Sequence, residues 1–499
     1  MEEAAGFIGS GEGGRIEDLH GKVRLCYNER AFWNGGLVSK RAAMVFIIGI
    51  VLFGLIGVGA GSAEGQAGVT AAPPTEKIPA FRFIFTERIR QESSDNVTSL
   101  DEAAADSSSY VRFRTSLTGQ WRVFSDFEFT VRLTNENRYY LAPKSDPRIK
   151  KNFDGHEVFF DSLYAKWKNP AGLPLTFTVG RQDVQFGEGF LIMDGGPLDG
   201  SRSAYFNAAR GDWAFGGKNT LTGLYLFQPR TDTILPVFND LGQKMVEQVE
   251  EGYGLYWTGA GKKWGYEAYF IWKNIRAFEV APESHIQILG GRVQAPLTAS
   301  LSLTAEAALQ GGSIGDRTDF TNFHLGDYND RDRSGLGGYF HLDQKTGAKF
   351  PWPAQLTLGG IYLSGDDPAT TDCYEGWDPA FSRWPKWSES LIYLFGRESK
   401  PAYWTNFISL YGGVSFDFAP GVRLNLTLHR LRAAEKTPPT TFLSGAGLDR
   451  GALLNIRLNY EITKNIQGHF IWDYFRPGNF YFPGAQSYTW VRFELLFRY

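Results

Sequence analysis

Beyond residue 80 the chain alternates apolar and polar residues with a period of two. Phe127, Phe129, Val131 and Leu133 alternate with Glu128, Thr130, Arg132 and Thr134. Leu301, Leu303, Ala305, Ala307 and Leu309 alternate with Ser302, Thr304, Glu306 and Gln310. Val422, Leu424, Leu426 and Leu428 alternate with Arg423, Asn425, Thr427 and His429, and Leu454, Ile456 and Leu458 with Asn455, Arg457 and Asn459. The last run, Val491, Phe493, Leu495, Phe497 and Tyr499, alternates with Arg492, Glu494 and Arg498. Successive strand side chains point to opposite faces, so each run is a strand with one apolar and one polar face. The pattern predicts eighteen strands, near 80–91, 109–119, 125–136, 157–168, 173–182, 203–215, 220–229, 252–260, 264–274, 284–297, 300–311, 335–344, 355–364, 402–415, 421–432, 451–461, 465–475 and 487–499. Each has about the length a tilted strand needs to cross a bilayer.

The connections decide what closes around these strands. Loops 92–108, 137–156, 183–202, 230–251, 312–334, 365–401 and 433–450 are long, while turns such as 169–172, 216–219, 298–299 and 462–464 are short. A soluble sandwich also alternates, but it has no reason to sort loop lengths onto two sides. A transmembrane antiparallel barrel does: short periplasmic turns and long external loops, with an even strand number. The fold class predicted is therefore all-β, an outer-membrane barrel over residues 80–499.

Composition sharpens this. Mean hydropathy is −0.27 with 15% aromatic residues and 58 Gly. The first value excludes a bundle of apolar helices. A barrel reconciles a polar average with many rings, because only alternate residues meet lipid. Phe127, Phe129, Trp490 and Phe493 are read as lipid-facing or interfacial, and Trp377, Trp384 and Trp387 as a cluster in loop 365–401 folded over the mouth. The net charge of −3 argues against nucleic acid. Lys40-Arg41, an uncharged run from Ala42 to Ala60, and Gly61-Ser62-Ala63 read as a secretory signal. Residues 1–63 are expected to be removed, leaving 64–79 as a periplasmic tail.

Candidate chemistry is sparse. Two Cys 347 positions apart form no disulfide framework, and seven His show no metal spacing. No P-loop, Gly-x-Ser-x-Gly or His-Glu-x-x-His is present in the sequence. His429 and His469 read as hydrogen-bonding lumen residues. No enzyme, metal or cofactor is expected. What remains is the polar face: Arg88, Arg90, Arg112, Arg114, Arg132, Arg423, Arg457 and Arg492, with Asp126, Glu128, Glu136, Glu306, Asp473 and Glu494. Charged rings along a wet lumen select solutes by sign, and the planar guanidinium fork suits carboxylates. The bland alternative is that these groups pair and only stiffen the wall.

Four stretches resemble the alginate export porin family: Tyr110-Val-Arg-Phe-Arg114, 179–189 (VGRQDVQFGEG), 289–310 (LGGRVQAPLTASLSLTAEAALQ), and 363–368 (LSGDDP) followed by Trp377-Asp378-Pro379-Ala380-Phe381. The resemblance spans about residues 80–499. It implies an 18-stranded barrel with an Arg-lined constriction and passive export of an anionic polysaccharide. The matching positions are Arg112, Arg114, Arg181, Arg292, Glu306 and Gln310. Arg181 shares parity with Phe177 and Val179, so either a bulge precedes it or it sits at the rim; Arg292 has the same ambiguity beside Ile286 and Ile288.

The expected function is an outer-membrane channel for anionic solutes, polysaccharide or small. Its partners would be the bilayer, the solute and the barrel-assembly machinery, reached through the C-terminal strand ending at Tyr499. Alternatives are a general or hydrophobic-solute porin, a sheath housing a cytochrome, or an outer-membrane hydrolase.

Overall fold

A computed structural model describes residues 80–144, 153–154, 157–194, 206–279, 281–315, 330–346, 353–382, 387–399 and 403–499. The expected signal, the 64–79 tail and Trp384 lie outside the described residues. Eighteen antiparallel strands form one closed barrel. They are β1 (Phe81–Asp95), β2 (Ser108–Arg122), β3 (Phe127–Ala142), β4 (Val158–Lys168), β5 (Leu175–Gln182), β6 (Phe206–Phe215), β7 (Asn219–Gln228), β8 (Glu250–Ala260), β9 (Gly265–Ile275), β10 (Ser284–Pro296), β11 (Leu301–Gly315), β12 (Asp330–Lys345), β13 (Ala354–Leu363), β14 (Phe407–Ala419), β15 (Val422–Arg432), β16 (Asp449–Thr463), β17 (Ile466–Pro477) and β18 (Tyr488–Arg498). Each pairs with its sequence neighbours, and β1 pairs with β18. Closure gives every strand a partner on both sides, as a bilayer core requires.

The alternation sorts as expected. Phe83, Leu289, Leu358, Leu410, Leu428 and Phe493 point outward and are exposed. Several strands run past their predicted outer ends: β1 to Asp95, β3 to Ala142 and β11 to Gly315. The end of β1, Glu92 to Asp95, is polar on both faces, so periodicity fades there before the ladder does. Trp490 corrects the sequence reading. It shares parity with Arg492 and Glu494 and is buried in the lumen.

The outer half of the lumen holds a second, apolar core. Loop 183–194 turns inward, and its pieces Val184–Gln185 and Ile192–Asp194 form a small sheet with Phe381–Ser382 of loop 364–406. Phe186 stacks on Tyr256 at 4.2 Å, and Phe190 on Trp377 at 5.2 Å. In loop 364–406 the helix α1 (Leu391–Glu398) buries Leu391, Leu394 and Phe395, the i, i+3, i+4 spacing of one helical face. Phe442, Phe480 and Tyr481 of the last two outer loops join the cluster. The core packs on inward residues such as Leu226, Ile288, Ile361 and Phe475 of strands β7–β17 and on Tyr488 and Trp490 at the outer end of β18. The described parts of loop 364–406 thus pack into the outer lumen instead of covering the mouth.

Candidate functional site: the arginine wall and the loops that face it

Closing a barrel forces its strands to tilt and stagger, so a row of paired residues climbs as it crosses them. One such row is Arg423–Asn459–His469–Glu494–Arg90–Arg112–Arg138, each residue paired to the next from β15 to β3. It starts at the second residue of β15, at the periplasmic rim, and ends at the fifth residue from the outer end of β3. A parallel row holds Arg457, Ile471, Arg492, Glu92 and Tyr110. A third holds Arg88, Arg114 and Glu136. Same-face residues on one strand lie about 6.7 Å apart, so the three rows form a continuous charged strip.

In the middle of this strip the guanidinium groups are held by carboxylates. Arg90 Nε donates to Glu494 at 2.7 Å. Arg112 lies 3.7 Å from Glu92 and 3.9 Å from Glu136. Arg114 donates to Asp161 at 3.0 Å, and Arg132 Nε to the same carboxylate at 2.8 Å. Arg132 also grips Asp183 with both terminal nitrogens, at 3.0 and 2.9 Å. Arg492 contacts Glu92 at 3.4 Å and Glu389 of loop 364–406. Lower down the wall is wetter. Arg457 bonds Asn459 at 2.9 Å and is 35% exposed; Arg423 lies 3.7 Å from Asp417 and is 44% exposed. Both line a cavity of about 730 Å³ at the periplasmic end, with His469, Gln467 and Glu494.

The other four family-matched positions do different work. Arg292 pairs with Glu267 at 2.7 Å on the opposite wall. Glu306 accepts bonds from Tyr269 and Tyr339, both at 3.0 Å. Ile286 and Ile288 face inward with Arg292, onto the apolar core, so its parity ambiguity disappears. Gly187 of loop 183–194, at φ +53°, rests on this group; a Cβ there would lie 3.1 Å from Arg292. Gln310 exchanges two bonds with the Asp378 backbone, at 2.6 and 2.8 Å. Arg181 stands apart from the lumen rows. It donates paired bonds to Asp232 of loop 229–249, at 2.8 and 2.7 Å. That loop adds Val237–Phe238 to the outer end of β4, where short β5 leaves an edge. No bulge precedes Arg181: β5 stays in register with β4 and β6 through Gly180, whose φ is +125°, and Arg181 sits at the rim, one residue from the outer end of β5.

Sequence reasoning missed Glu92 and Arg138, which lie just past the predicted ends of their strands. It also missed Asp161, set inward by a register shift in β4 opposite Arg132/Leu133. Glu389 and Asp183 come from loops and carry no periodic signal. Of the remaining acidic candidates, Asp473 anchors Ser388 and Ser390, at 2.7 and 2.5 Å. Asp126 accepts from Trp167 and Glu128 pairs with Lys168 at the periplasmic rim. His429 bonds Ser409 at 3.1 Å and His469 lies 3.4 Å from Glu494.

Comparisons with known proteins agree with this architecture. A family model described as alginate export matches residues 81–493. No curated protein matches. Among solved structures, the chain is similar to OpdL of Pseudomonas aeruginosa, at 14% identity and TM-score 0.51, covering 84% of this chain and 98% of that one. It is similar to OccAB1 of Acinetobacter baumannii, at 11% identity and TM-score 0.53, covering 84% and 96%. It is also similar to OpdK of Pseudomonas aeruginosa in a structure with vanillate, at 10% identity and TM-score 0.51, covering 84% and 98%. At such identities the likeness is one of fold.

Proposed function

We propose, from the premise that this chain belongs to the alginate export family and is an outer-membrane β-barrel channel, that its lumen passes anionic solutes along the arginine strip. The cargo class is carboxylate-bearing, with an alginate-like polysaccharide as the leading candidate. Passage is passive diffusion through a wet, charge-lined path. It needs no bond making and no cofactor.

One observation carries the reading. In the middle of the strip Arg88, Arg90, Arg112, Arg114, Arg132, Arg138 and Arg492 face four strand-borne carboxylates, Glu92, Glu136, Asp161 and Glu494. Against these four, three guanidinium charges are in excess, and one remains so once the loop carboxylates Asp183 and Glu389 are counted, in a low-dielectric wall where sign matters most. Along the same rows Arg423, Arg457 and Asn459 offer exposed donors at the periplasmic cavity. A carboxylate arriving from the periplasm thus meets donors at each level. The ligand roles of Arg112, Arg114, Arg132, Arg423, Arg457 and Arg492 belong to this proposal. Arg292, Glu306, Gln310 and Arg181 support it indirectly, by shaping the loops opposite. The alternating outward residues of β18, ending on the exposed Tyr499, support its reading by the assembly machinery.

A second reading, small carboxylates in place of a polymer, is favoured by the apolar core that narrows the outer lumen, and one similar structure was solved with vanillate. Planar-bilayer recording separates the two. Anion selectivity lost on Arg112→Glu, Arg114→Glu and Arg132→Glu, with block by oligouronates, supports the polymer. Block by benzoate-sized acids alone supports the second reading. Cation selectivity of the unaltered channel would refute both.

A further inference from the structure

Two carboxylates on the arginine wall do not belong to it. Glu389 arrives from loop 364–406 and Asp183 from loop 183–194, two segments far apart in sequence. Glu389 contacts Arg492 directly and lies 3.8 Å from Arg457. Asp183 takes the paired terminal nitrogens of Arg132. Both mimic what a carboxylate solute would do there.

Glu389 is held in place from behind. Ser388 and Ser390, on either side of it, donate to the same oxygen of Asp473, and Ser390 also bonds the Tyr488 hydroxyl at 2.8 Å. The backbone between them is a ledge that presents one side chain to the wall. Arg492 is backed by the Trp490 ring at 4.6 Å and is almost fully buried. A charged group so enclosed needs a counter-charge. Glu92 supplies part of it and Glu389 the rest.

We propose that Arg492 and Arg457 form a carboxylate-binding subsite that the chain fills with its own Glu389, a tethered ligand that sets how long the wall holds a passing anion. The charge count gives the reason. Glu389 and Asp183 cut the excess of guanidinium charge in this belt from three to one. An excess of three would trap a multivalent anion, because each added contact multiplies its residence. An excess of one still favours anions and lets them leave, which conduction demands. This inference rests on the anion-passing reading above.

The test uses the full-length channel in planar bilayers, with tetramannuronate as probe and acetate as competitor. Glu389→Ala should lengthen the dwell time of each blocking event at least tenfold. Acetate should shorten it again, by occupying the vacated subsite. Glu389→Gln keeps the volume and loses the charge, so its dwell time should also rise. Asp240→Asn, on an exposed stretch of an outer loop, controls for net charge and should change nothing. Heat-modifiable electrophoretic mobility confirms the closed barrel in each variant. Dwell times within twofold of the unaltered channel in both Glu389 variants, or lengthened dwell that acetate leaves untouched, overturn the proposal. If Arg112→Glu still abolishes anion selectivity in that case, only the tether fails; if it does not, the anion reading fails as well.

Discussion

Replacing Trp377 by Ala should open this channel without opening the barrel. Trp377 is fully buried in the lumen core, stacked on Phe190 at 5.2 Å, and its main-chain N–H donates to Ser364 at 3.0 Å. The wall behind it is tight: a Cβ on Gly337 of β12 would come within 2.6 Å of the indole. Truncating such a residue leaves a cavity that the stiff strand cannot fill, at a cost of about 3–5 kcal/mol. The ladder of the barrel does not depend on this contact, so the loss falls on the loops as a local unit. At 1.4 kcal/mol per tenfold, the population with the core undone rises by about two to three and a half orders of magnitude. Planar-bilayer recording should show larger and longer conductance steps. Cys373, buried in the same loop and the one cysteine beyond residue 63, should react faster with a hydrophilic maleimide. Leu410→Ala, on the lipid face where Leu410 is 63% exposed, truncates an apolar side chain outside the lumen core and should change neither readout. Unaltered conductance and labelling in Trp377→Ala would show that the loops do not limit the path.

Three further outcomes follow from particular contacts. Arg181→Leu leaves the Asp232 carboxylate, 2% exposed, without its paired partner; breaking a buried pair costs about 3–5 kcal/mol, so limited proteolysis should cut within 229–249 while ion selectivity stays unchanged. Gly180→Val should fail to give a heat-modifiable barrel, since at φ +125° its Cβ would lie 2.2 Å from the Leu163 carbonyl oxygen; normal assembly would refute this close approach. In loop 364–406 burial pushes the Asp366 carboxyl up to about 6, helped by neighbouring Glu375 and opposed by the Glu375 N–H and Arg331. A raised folded value means the native loop binds the extra proton, so its hold weakens as pH climbs from about 4 through 6. Amide exchange over 364–376, corrected for intrinsic rates, should therefore speed up over that range, and Asp366→Asn should abolish the change.

The barrel was legible because one physical constraint writes on every strand: lipid on one side, water on the other. Val422 to His429 and Val491 to Tyr499 carry that constraint without interruption, and the alternating loop lengths supplied the sidedness. Arg90, Arg112, Arg114 and Arg492 were legible for the same reason, as polar residues on a patterned strand. The lumen core was not. Trp490, Ile286 and Ile288 are apolar residues facing inward, and periodicity alone assigns every apolar face to lipid. Only the inward loops make sense of them, and a loop's path depends on contacts such as Gln310 with Asp378 that no local pattern encodes. Asp161 was hidden by a bulge, which reverses parity for everything beyond it.

The family signature itself now divides by role. Arg181, in the Gly-Arg-Gln stretch, ties down loop 229–249. Arg292 and Glu306 form the seat on which Gly187 rests. Gln310 and Lys273 hold Asp378, and Ser364 bonds both the Glu375 carbonyl and the Leu336 N–H. Three of the four matching stretches therefore anchor loops inside the barrel, and one, Tyr110 to Arg114, lies on the arginine strip. Releasing those anchors would expose an apolar core to water whatever the channel carries. Membership in the family thus speaks strongly for a loop-filled barrel and weakly for its cargo. The cargo has to be sought along the strip, in Arg88, Arg90, Arg112, Arg114, Arg132, Arg138, Arg457 and Arg492, and in the two loop carboxylates that face them.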